Sequence, residues 1–263
     1  MYYFASEAAI PIRAAAAESS EMVSQLLFGD IVIGIKQTEN WLFIQHIEDA
    51  YEGWVTCYML TPISEEEYAA IKAWKYVHSA NTSLILPDNT EMRLPLGARL
   101  PLQDEAHFTL HQKTWHLYEG EVKPILSFCF LLETAYKFLN IPYLWGGKGG
   151  GGIDCSGFTQ TVFRMYGISL LRDASQQATQ GQEILWENRQ QGDLLFFAKI
   201  GKTNPSHVGI YAGNDTIIHS SGKVRVDKVN LNGLYSYESQ NVTHTLLTIK
   251  RYFSWELPQE QKS

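Results

Sequence analysis

The stretch Tyr143-Leu-Trp-Gly-Gly-Lys-Gly-Gly-Gly-Gly-Ile-Asp-Cys-Ser-Gly-Phe158 joins a glycine-rich loop to a segment with helical periodicity. The apolar residues Phe158, Val162 and Met165 recur at three-to-four spacing, which predicts a helix with Cys155 in its first turn. Such a cysteine faces unpaired backbone N–H groups and the positive end of the helix dipole, so we expect a lowered pKa and a thiolate. The alternative is that Cys155 is a small buried apolar residue, the commoner role of a lone cysteine.

The glycine run fits the dinucleotide-binding pattern G-x-G-x-x-G over residues 147–152. No βαβ unit surrounds it, and no G-K-[ST] sequence is present, so both phosphate-loop interpretations are disfavoured. We instead expect the glycines to let the backbone bend tightly and approach a ligand where the helix begins. The sequence assigns no role to Lys148.

Composition and charge exclude several classes of protein. The 263 residues carry a net charge of -7 without a basic cluster, which argues against nucleic-acid binding. No apolar stretch reaches the roughly 18–20 residues of a membrane helix. The spacing of His107, His111 and His116 fits no standard metal motif, and we expect neither a metal nor a cofactor.

The cysteines bear on the cellular compartment. Cys57, Cys129 and Cys155 are an odd number without a CxxC motif, which favours free thiols over a disulfide framework. The amino-terminal residues have neither a basic region nor a long apolar run, so we expect no signal peptide. A cytoplasmic location follows, or a periplasmic one if a leader has been removed.

The first half of the chain predicts two small β-rich units. Residues 1–62 contain β-branched and aromatic runs separated by turn residues, which favours a small barrel. Ser64 is placed to cap a connecting helix over Glu65–Trp74, with Glu67 as its capping-box partner. Short strands then continue to about Glu121, so that residues 63–122 predict the connector helix and a second barrel.

Residues 123–263 predict a third unit of the α+β class, with helices packed on an antiparallel sheet. Periodic apolar residues over Pro124–Asn140 predict a helix in which Cys129 packs inward. After the Cys155 helix, the strand-forming residues 191–197 precede a hairpin that contains His207 and His219.

A nucleophilic cysteine needs a base within hydrogen-bond reach, and the base needs an orienting group. If residues 213–215 form the hairpin loop, Ala212 pairs with Thr216, and His207 and His219 share one face as diagonal neighbours. A two-residue turn would place the two histidines on opposite faces.

Four blocks in this order resemble the NlpC/P60 family of cysteine peptidases over roughly residues 123–253. They are Asp154-Cys-Ser-Gly-Phe-Thr-Gln160, Gly192-Asp-Leu-Leu-Phe-Phe197, His207-Val-Gly-Ile-Tyr211 and Ile218-His-Ser220. The strand order of residues 1–62, with Gly53-Trp-Val near its end, resembles a bacterial SH3-like (SH3b) domain. The resemblance implies a papain-like catalytic domain preceded by two SH3-like β-barrels, as in the YkfC-like branch.

The resemblance also implies the activity and the roles of individual residues. Enzymes of that branch are γ-D-glutamyl-L-diamino acid endopeptidases that act on murein peptides, often those with a free N-terminal L-alanine. Cys155 corresponds to the nucleophile, His207 to the general base and acid, and His219 to the group that orients it. The implied substrate-binding residues are Tyr143, Asp154, Ser156, Asp173 and Tyr51. Asp154 is equally well placed as the N-cap of the predicted helix, and the two roles are compatible. Glu18 and Glu21 are further candidates for an amine subsite.

Two other functions remain open from the sequence. The same Cys-His-His site could transfer the acyl group to another acceptor, as in an amidase or acyltransferase. A protein with a decayed catalytic site could instead use its SH3-like units to bind cell wall. For the endopeptidase we expect a monomer whose partner is a murein peptide.

Overall fold

The computed structural model describes residues 1–71, 73–104, 106–149, 151–236 and 241–253. Within these ranges the chain forms two β-rich units followed by helices packed on an antiparallel barrel, and the α+β class predicted from the sequence is confirmed. No helix in the described ranges is long and apolar enough to cross a membrane.

The first unit is a seven-stranded antiparallel sheet in the order β3-β2-β6-β5-β4-β1-β7. Alternate residues of its strands point into a core that includes Ile10, Ile12 and Ile44. The strands are β1 (Tyr2–Ala5), β2 (Ala9–Arg13), β3 (Met22–Leu27), β4 (Ile31–Thr38), β5 (Trp41–His46), β6 (Glu52–Thr56) and β7 (Leu60–Ile63).

Helix α1 (Glu65–Ala70) follows, and its predicted capping box is present. The Ser64 hydroxyl accepts a hydrogen bond from the Glu67 N–H at 3.1 Å, and the Glu67 carboxylate accepts one from the Ser64 N–H at 2.8 Å. The predicted extension to Trp74 is wrong, because Ile71 already adopts an extended conformation. Trp74 instead lies under the Arg99 guanidinium, 4.2 Å from the ring centre, and this contact holds it outside the helix.

The second unit contains a four-stranded and a three-stranded sheet, both antiparallel. Its Phe108 and Trp115 pack with Phe4 and Phe28 of the first unit in one core, so the two units are joined by buried apolar surface. The strands are β8 (Lys75–Val77), β9 (Ser83–Ile85), β10 (Glu91–Arg93), β11 (Arg99–Leu100), β12 (His107–Leu110), β13 (Lys113–Glu119) and β14 (Val122–Lys123).

The third unit is built around a six-stranded antiparallel barrel. Its last strand bonds both to the first strand of the barrel and to the one before it, which closes the sheet. The helices are α2 (Leu131–Lys137), α3 (Cys155–Arg164) and α4 (Ala174–Gln177). The strands are β15 (Lys148–Gly149), β16 (Gly152–Ile153), β17 (Gln182–Glu183), β18 (Leu194–Lys199), β19 (His207–Gly213), β20 (Thr216–Ser221), β21 (Lys223–Asn230), β22 (Gly233–Ser236) and β23 (Asn241–Arg251), of which β18–β23 form the barrel.

The predicted helix over Pro124–Asn140 is much shorter in the structure. A 3-10 turn occupies Phe128–Phe130 before α2 begins, because the preceding segment is tied elsewhere: the Leu126 N–H donates to the Met165 carbonyl at the end of α3. The prediction that Cys129 packs inward is also wrong, since it lies exposed in the 3-10 turn.

Polar bonds attach α3 to the first unit. Arg164 donates to Asp30 at 2.6 Å, and Gln160 donates to Asp49 at 2.7 Å. Strands β15 and β16 pair beside them, with Lys148 opposite Ile153 and Gly149 opposite Gly152. The Lys148 side chain is buried near these carboxylates. The helix that carries Cys155 is therefore held by residues of a separate β unit.

Candidate active site

Cys155 is the first residue of α3, and Asp154 caps the helix as one of the sequence interpretations proposed. The Asp154 carboxylate accepts the Gly157 N–H at 2.6 Å and, through its other oxygen, the Gly146 N–H at 2.9 Å. Because Gly146 lies in the loop before the β15–β16 hairpin, Asp154 connects both sides of the nucleophile. The position of Cys155 thus depends on a cap that spans loop and helix.

Arg172 completes this arrangement and was not singled out from the sequence. Its guanidinium is 1% exposed and donates to both oxygens of Asp154, at 2.6 and 3.1 Å. It also donates to the hydroxyls of Ser156 at 3.0 Å and Ser24 at 2.8 Å. The sequence analysis selected the adjacent Asp173 as a substrate-binding residue, but it did not predict the buried ion pair between Arg172 and Asp154.

The thiol of Cys155 does not have the lowered pKa that its place in the helix predicts. Burial and the adjacent Asp154 carboxylate raise its pKa to about 12, and they outweigh the backbone N–H groups of Val208 and Ser156, which favour the thiolate. The predicted lowering of the thiol pKa is wrong because the sequence indicates where the helix begins but not that the sulfur is buried beside a carboxylate. With its pKa raised in this way, the Cys155 thiol is neutral near pH 7.

The hairpin of β19 and β20 does not have the predicted three-residue loop. Its turn is the two residues Asn214 and Asp215, both with positive φ, and Gly213 pairs with Thr216. A β-bulge at Ala212 shifts the register, so that Gly209 pairs with His219. His207 and His219 therefore share a face, as predicted, but the bulge and not the loop length brings this about.

The two histidines form a buried pair. Nε2 of His207 lies 2.8 Å from Nδ1 of His219, and the side chains are 7% and 1% exposed. Burial and the neighbouring His219 hold the pKa of His207 well below its usual range, and burial lowers the pKa of His219 despite Asp227. Both rings are neutral near pH 7, and Nδ1 of His207 is left to act as a base.

Two further residues of this cluster were missed by the sequence reasoning. Asp227 Oδ2 lies 3.1 Å from His219 Nε2, and the His244 ring stacks on His207 with 5.1 Å between ring centres. Both are on strands of the barrel outside the motif blocks, β21 and β23. The sequence signal available for Asp227 was the alternation of side chains along β21. Asp227 pairs with Ile217, two residues from His219, so its side chain lies on the same face of the sheet as His219.

One cleft of about 770 Å³ brings the predicted site residues together. Cys155 and His207 line it, and so do all five predicted substrate-binding residues: Tyr143, Asp154, Ser156, Asp173 and Tyr51. Tyr51 comes from the first unit, so the cleft lies between that unit and the catalytic one. Burial and the proximity of Cys155 raise the pKa of Tyr143 to about 12, which keeps its hydroxyl protonated.

Other candidates lie elsewhere. Glu18 pairs with Arg13, and Glu21 accepts a hydrogen bond from the Trp145 indole at 2.7 Å; neither is among the described residues that line the cleft. Asp30, His46 and Glu48 converge closely enough to hold a cation. Their carboxylates are already paired with Arg164 and Arg99, however, so this donor set fits an internal ion-pair network.

Comparison with known proteins gives two matching family models. Residues 140–244 match the NlpC/P60 family, and residues 12–57 match a domain described as "Bacterial dipeptidyl-peptidase Sh3 domain". The second match confirms the SH3-like resemblance of the first unit. The first match contains Cys155 and both paired histidines.

Full-length relatives agree with these matches. A γ-D-glutamyl-L-lysine dipeptidyl-peptidase of Bacillus subtilis is 30% identical over 223 residues, covering 75% of this chain and 71% of that protein. A protein of the same name from Bacillus cereus is 29% identical over 227 residues, covering 77% and 68%. The crystal structure of an NlpC/P60 family protein from Bacillus cereus has the same fold, with a TM-score of 0.80, 23% identity and coverage of 96% and 99%. Together with the cleft that Cys155 and His207 line, these matches establish that the chain belongs to the NlpC/P60 family of cysteine peptidases.

Proposed function

We propose that this peptidase hydrolyses the γ-D-glutamyl-L-diamino acid bond of murein-derived peptides, with Cys155 as its nucleophile. The observation that carries the proposal is the cleft that Cys155, at the start of α3, shares with His207, whose ring is bonded to buried His219. The relatives named γ-D-glutamyl-L-lysine dipeptidyl-peptidase, which align with three quarters of this chain, support the choice of bond.

The neutral thiol and neutral imidazole set the first step. His207 Nδ1 accepts the proton of Cys155 as the sulfur attacks the side-chain carbonyl of D-glutamate, which gives a tetrahedral oxyanion. The backbone N–H of Cys155 at the helix start and the Tyr143 hydroxyl are the donors placed to stabilise this charge. The His207 imidazolium then protonates the departing amine, and an acyl-enzyme remains.

Deacylation reverses the proton movements. A water molecule enters in place of the amine, His207 takes its proton, and the resulting hydroxide attacks the thioester. Collapse of the second tetrahedral intermediate releases the D-glutamyl acid and returns the proton to the sulfur. His219 keeps the His207 ring in the required orientation throughout.

The amino-terminal end of the substrate is assigned to Tyr51 and Asp173. Burial and the nearby Asp154 and Asp49 carboxylates raise the pKa of Asp173 despite Arg172, so an incoming ammonium would stabilise its ionised form. Since Arg172 already neutralises Asp154, the Asp173 carboxylate is the acid available to bind the free amine of L-alanine.

Incubation with L-Ala-γ-D-Glu-L-lysine and its diaminopimelate counterpart, each with a free or acetylated amino terminus, tests this proposal. We expect release of the diamino acid from the free peptides and at least about a 100-fold lower kcat/KM for the acetylated ones, because they lack the charged amine. Equal turnover of the blocked peptides would remove the amine subsite, and no cleavage of any peptide would refute the assigned bond.

Two cysteine variants form a matched pair for the same assay. Cys155→Ser should reduce cleavage to background, whereas Cys129→Ser should leave it unchanged, because Cys129 lies exposed outside the cleft. Transfer of the acyl group to added hydroxylamine in preference to water would instead favour the acyltransferase alternative.

The cellular location and the oligomeric state are also part of the proposal. We assign the enzyme to the cytoplasm as a monomer that processes free peptides, and the three free thiols support a reducing compartment. Size-exclusion chromatography with light scattering tests the monomer.

A further inference from the structure

A third buried group continues the line of the two active-site histidines. Asp227 Oδ2 lies 3.1 Å from Nε2 of His219, whose Nδ1 lies 2.8 Å from Nε2 of His207. Asp227 is 6% exposed, and the two rings are 7% exposed or less. Because Asp227 pairs with Ile217 across β20 and β21, it is a diagonal neighbour of His219 on the same face.

The donor and acceptor properties of these groups fix where the protons lie. An ionised carboxylate can only accept, so His219 must carry its proton on Nε2. Neutral His219 then has a bare Nδ1, which accepts the proton of His207 Nε2. His207 is left with a bare Nδ1, the one atom of the three groups that can take the proton of Cys155.

Asp227 is held in the ionised form that this order requires. Burial acts to raise its pKa, but hydrogen bonds from His219 and Arg225 outweigh burial, and the net pKa is lowered. Arg225 donates to the same carboxylate oxygen through Nε at 2.8 Å and a terminal nitrogen at 2.6 Å.

We propose that Asp227 is a positioning residue for the peptidase reaction: it fixes the tautomers of His219 and His207 and stabilises the positive charge that His207 gains from Cys155. This inference rests on the roles given to Cys155 and His207 in the proposed function. It adds a fourth group to the three that the sequence identified.

The other groups around the histidine pair make the carboxylate necessary. His207 lines the cleft together with Cys155 of α3, and its ring stacks on His244 of β23. Lys199 of β18 pairs with His244. Arg225 on β21 pairs directly with His219 across the ladder, and its charge lowers the pKa of both histidines. Without Asp227, an imidazolium at His207 would lie near Arg225 and, among the described residues around the histidine pair, would lose the carboxylate that offsets this cation.

Asp227→Asn tests the proposal through the pH profile. The asparagine amide can donate to His219 Nε2, which reverses both tautomers and places a proton on His207 Nδ1. We expect kcat to fall at least about 100-fold with little change in KM, as expected for loss of general-base function. The acidic limb of kcat/KM should move to lower pH, because an imidazolium in the pair loses its counter-charge. Asp227→Glu, which keeps the charge, should recover part of kcat.

Asp193→Asn is the matched control. Asp193 is fully buried and paired with Arg251, like Asp227 with Arg225, but it does not line the cleft. Its variant should lose stability and keep the pH profile of the folded enzyme. A folded Asp227→Asn enzyme with kcat within threefold of wild type, or with reduced kcat and an unmoved acidic limb, would overturn the proposal.

A measurement on the unaltered protein decides the question if Asp227→Asn does not fold. Imidazole nitrogen NMR of the full chain labelled with 15N-histidine should show both His207 and His219 as neutral rings protonated on Nε2. A His207 ring protonated on Nδ1 would refute the inference. Because this readout needs no substrate, it stands even if none of the murein peptides is cleaved, an outcome that would reject only the proposed function.

Discussion

Asp154 is the residue whose charge acts most strongly on the Cys155 thiol, the proposed nucleophile. It caps α3 through the Gly157 N–H, bonds the loop through the Gly146 N–H and pairs with buried Arg172. Its charge is also the second cause, after burial, of the raised pKa of Cys155. One carboxylate therefore places the sulfur and opposes its ionisation, so deprotonation has to be coupled to His207.

Asp154→Asn should lower the pKa of the Cys155 thiol. The change removes an anion beside the sulfur and leaves the Arg172 cation without its partner, and both effects favour the thiolate. Asparagine remains a good helix cap, so α3 should persist. The rate of alkylation by iodoacetamide against pH measures the shift, with Cys129→Ser as background to remove the exposed thiol.

Asp173→Asn serves as the control for that titration. Asp173 lines the same cleft but is not among the groups that act on the Cys155 thiol, so its variant should titrate like the parent. A thiol pKa that stays the same or rises in Asp154→Asn would contradict the electrostatic role of Asp154.

At the scale of elements, the β19–β20 hairpin shows where sequence reasoning succeeds and where it stops. Local residue order singled out Cys155, His207 and His219, because each lies in a short block with its own pattern, and the structure brings His207 into contact with His219. The bulge at Ala212 could not be predicted, since it depends on strand register and not on composition. Arg172 and Asp227 were missed for a related reason: their partners lie 18 and 8 residues away, and only packing brings them together.

The prediction of helix boundaries from the sequence failed for the same reason, because it could not include contacts made by packing. Apolar periodicity correctly placed a helix near residues 131–137 but extended it to Pro124, because periodicity cannot show that Leu126 bonds to Met165. The β-rich class of the first half was predictable from turn residues and β-branched runs. The core that joins its two units was not, since it combines residues such as Phe4 and Phe108 that are remote in sequence.

Gly209 gives a test of the hairpin geometry. It pairs directly with His219, and a Cβ at this position would lie 2.8 Å from the His219 Cβ. Gly209→Ala should push His219 away from His207 and lower kcat by roughly 100-fold, the effect of a misplacement of about 1 Å, while overpacking costs about 1–3 kcal/mol of stability. Steady-state kinetics and thermal unfolding measure the two effects.

Gly151→Ala is the matched control, because no atom lies within 4 Å of a Cβ at this position. Its activity and stability should remain close to those of the parent. Wild-type kcat in Gly209→Ala would show that the close approach of His219 to β19 is not needed.

At the scale of the whole molecule, a buried ion-pair network joins α3 to the units that precede it. Asp30 is fully buried and accepts from Arg164 at 2.6 Å, with Arg99 and His46 also within 4 Å. A buried pair contributes little net stability, but removal of one partner leaves an uncompensated charge. The network therefore makes the position of the catalytic helix sensitive to a change in the first unit.

Asp30→Asn should destabilise the protein by about 3–5 kcal/mol, because it removes the nearer of the two carboxylates that neutralise buried Arg164. Glu183→Gln is the control: Glu183 pairs with Lys250 at 3.4 Å but is 72% exposed, and its loss should cost less than about 1 kcal/mol. Urea unfolding followed by tryptophan fluorescence compares them. Equal midpoints for the two variants would show that the network does not hold the units together.

The buried histidines make stability depend on pH. Among the described residues, burial lowers the pKa of His78, His207, His219 and His244, and that of His78 falls to about 4. The unfolded chain binds protons at these positions below about pH 6.5, whereas the folded chain does not, so folding free energy is lost as pH falls through this range.

Other groups in the ion-pair network modify this slope. Burial acts to lower the pKa of His46, but Asp49 and Asp30 raise it overall, so His46 adds stability below about pH 6.5 that is lost as pH rises through its folded pKa. Four histidines oppose this one, and the net slope should follow the four. Asp30 and Asp49 have lowered pKa values and keep their contribution until the pH falls below about 4, where a second loss should begin.

Urea midpoints between pH 7.5 and 4.5 should therefore decrease steadily on acidification. His78→Gln should reduce the slope, because it removes a group that the folded state keeps unprotonated to about pH 4 and the unfolded state protonates at about pH 6.5. His111→Gln, the same substitution at an exposed histidine, is the control. If the midpoints stay constant over this range, or if His78→Gln keeps the full slope, the neutral buried histidines do not set the acid sensitivity of the fold. If His78→Gln reduces the dependence of the urea midpoint on pH and the control does not, part of the acid sensitivity arises outside the cleft. Acid then destabilises the fold at His78 even while His207 and His219 remain paired.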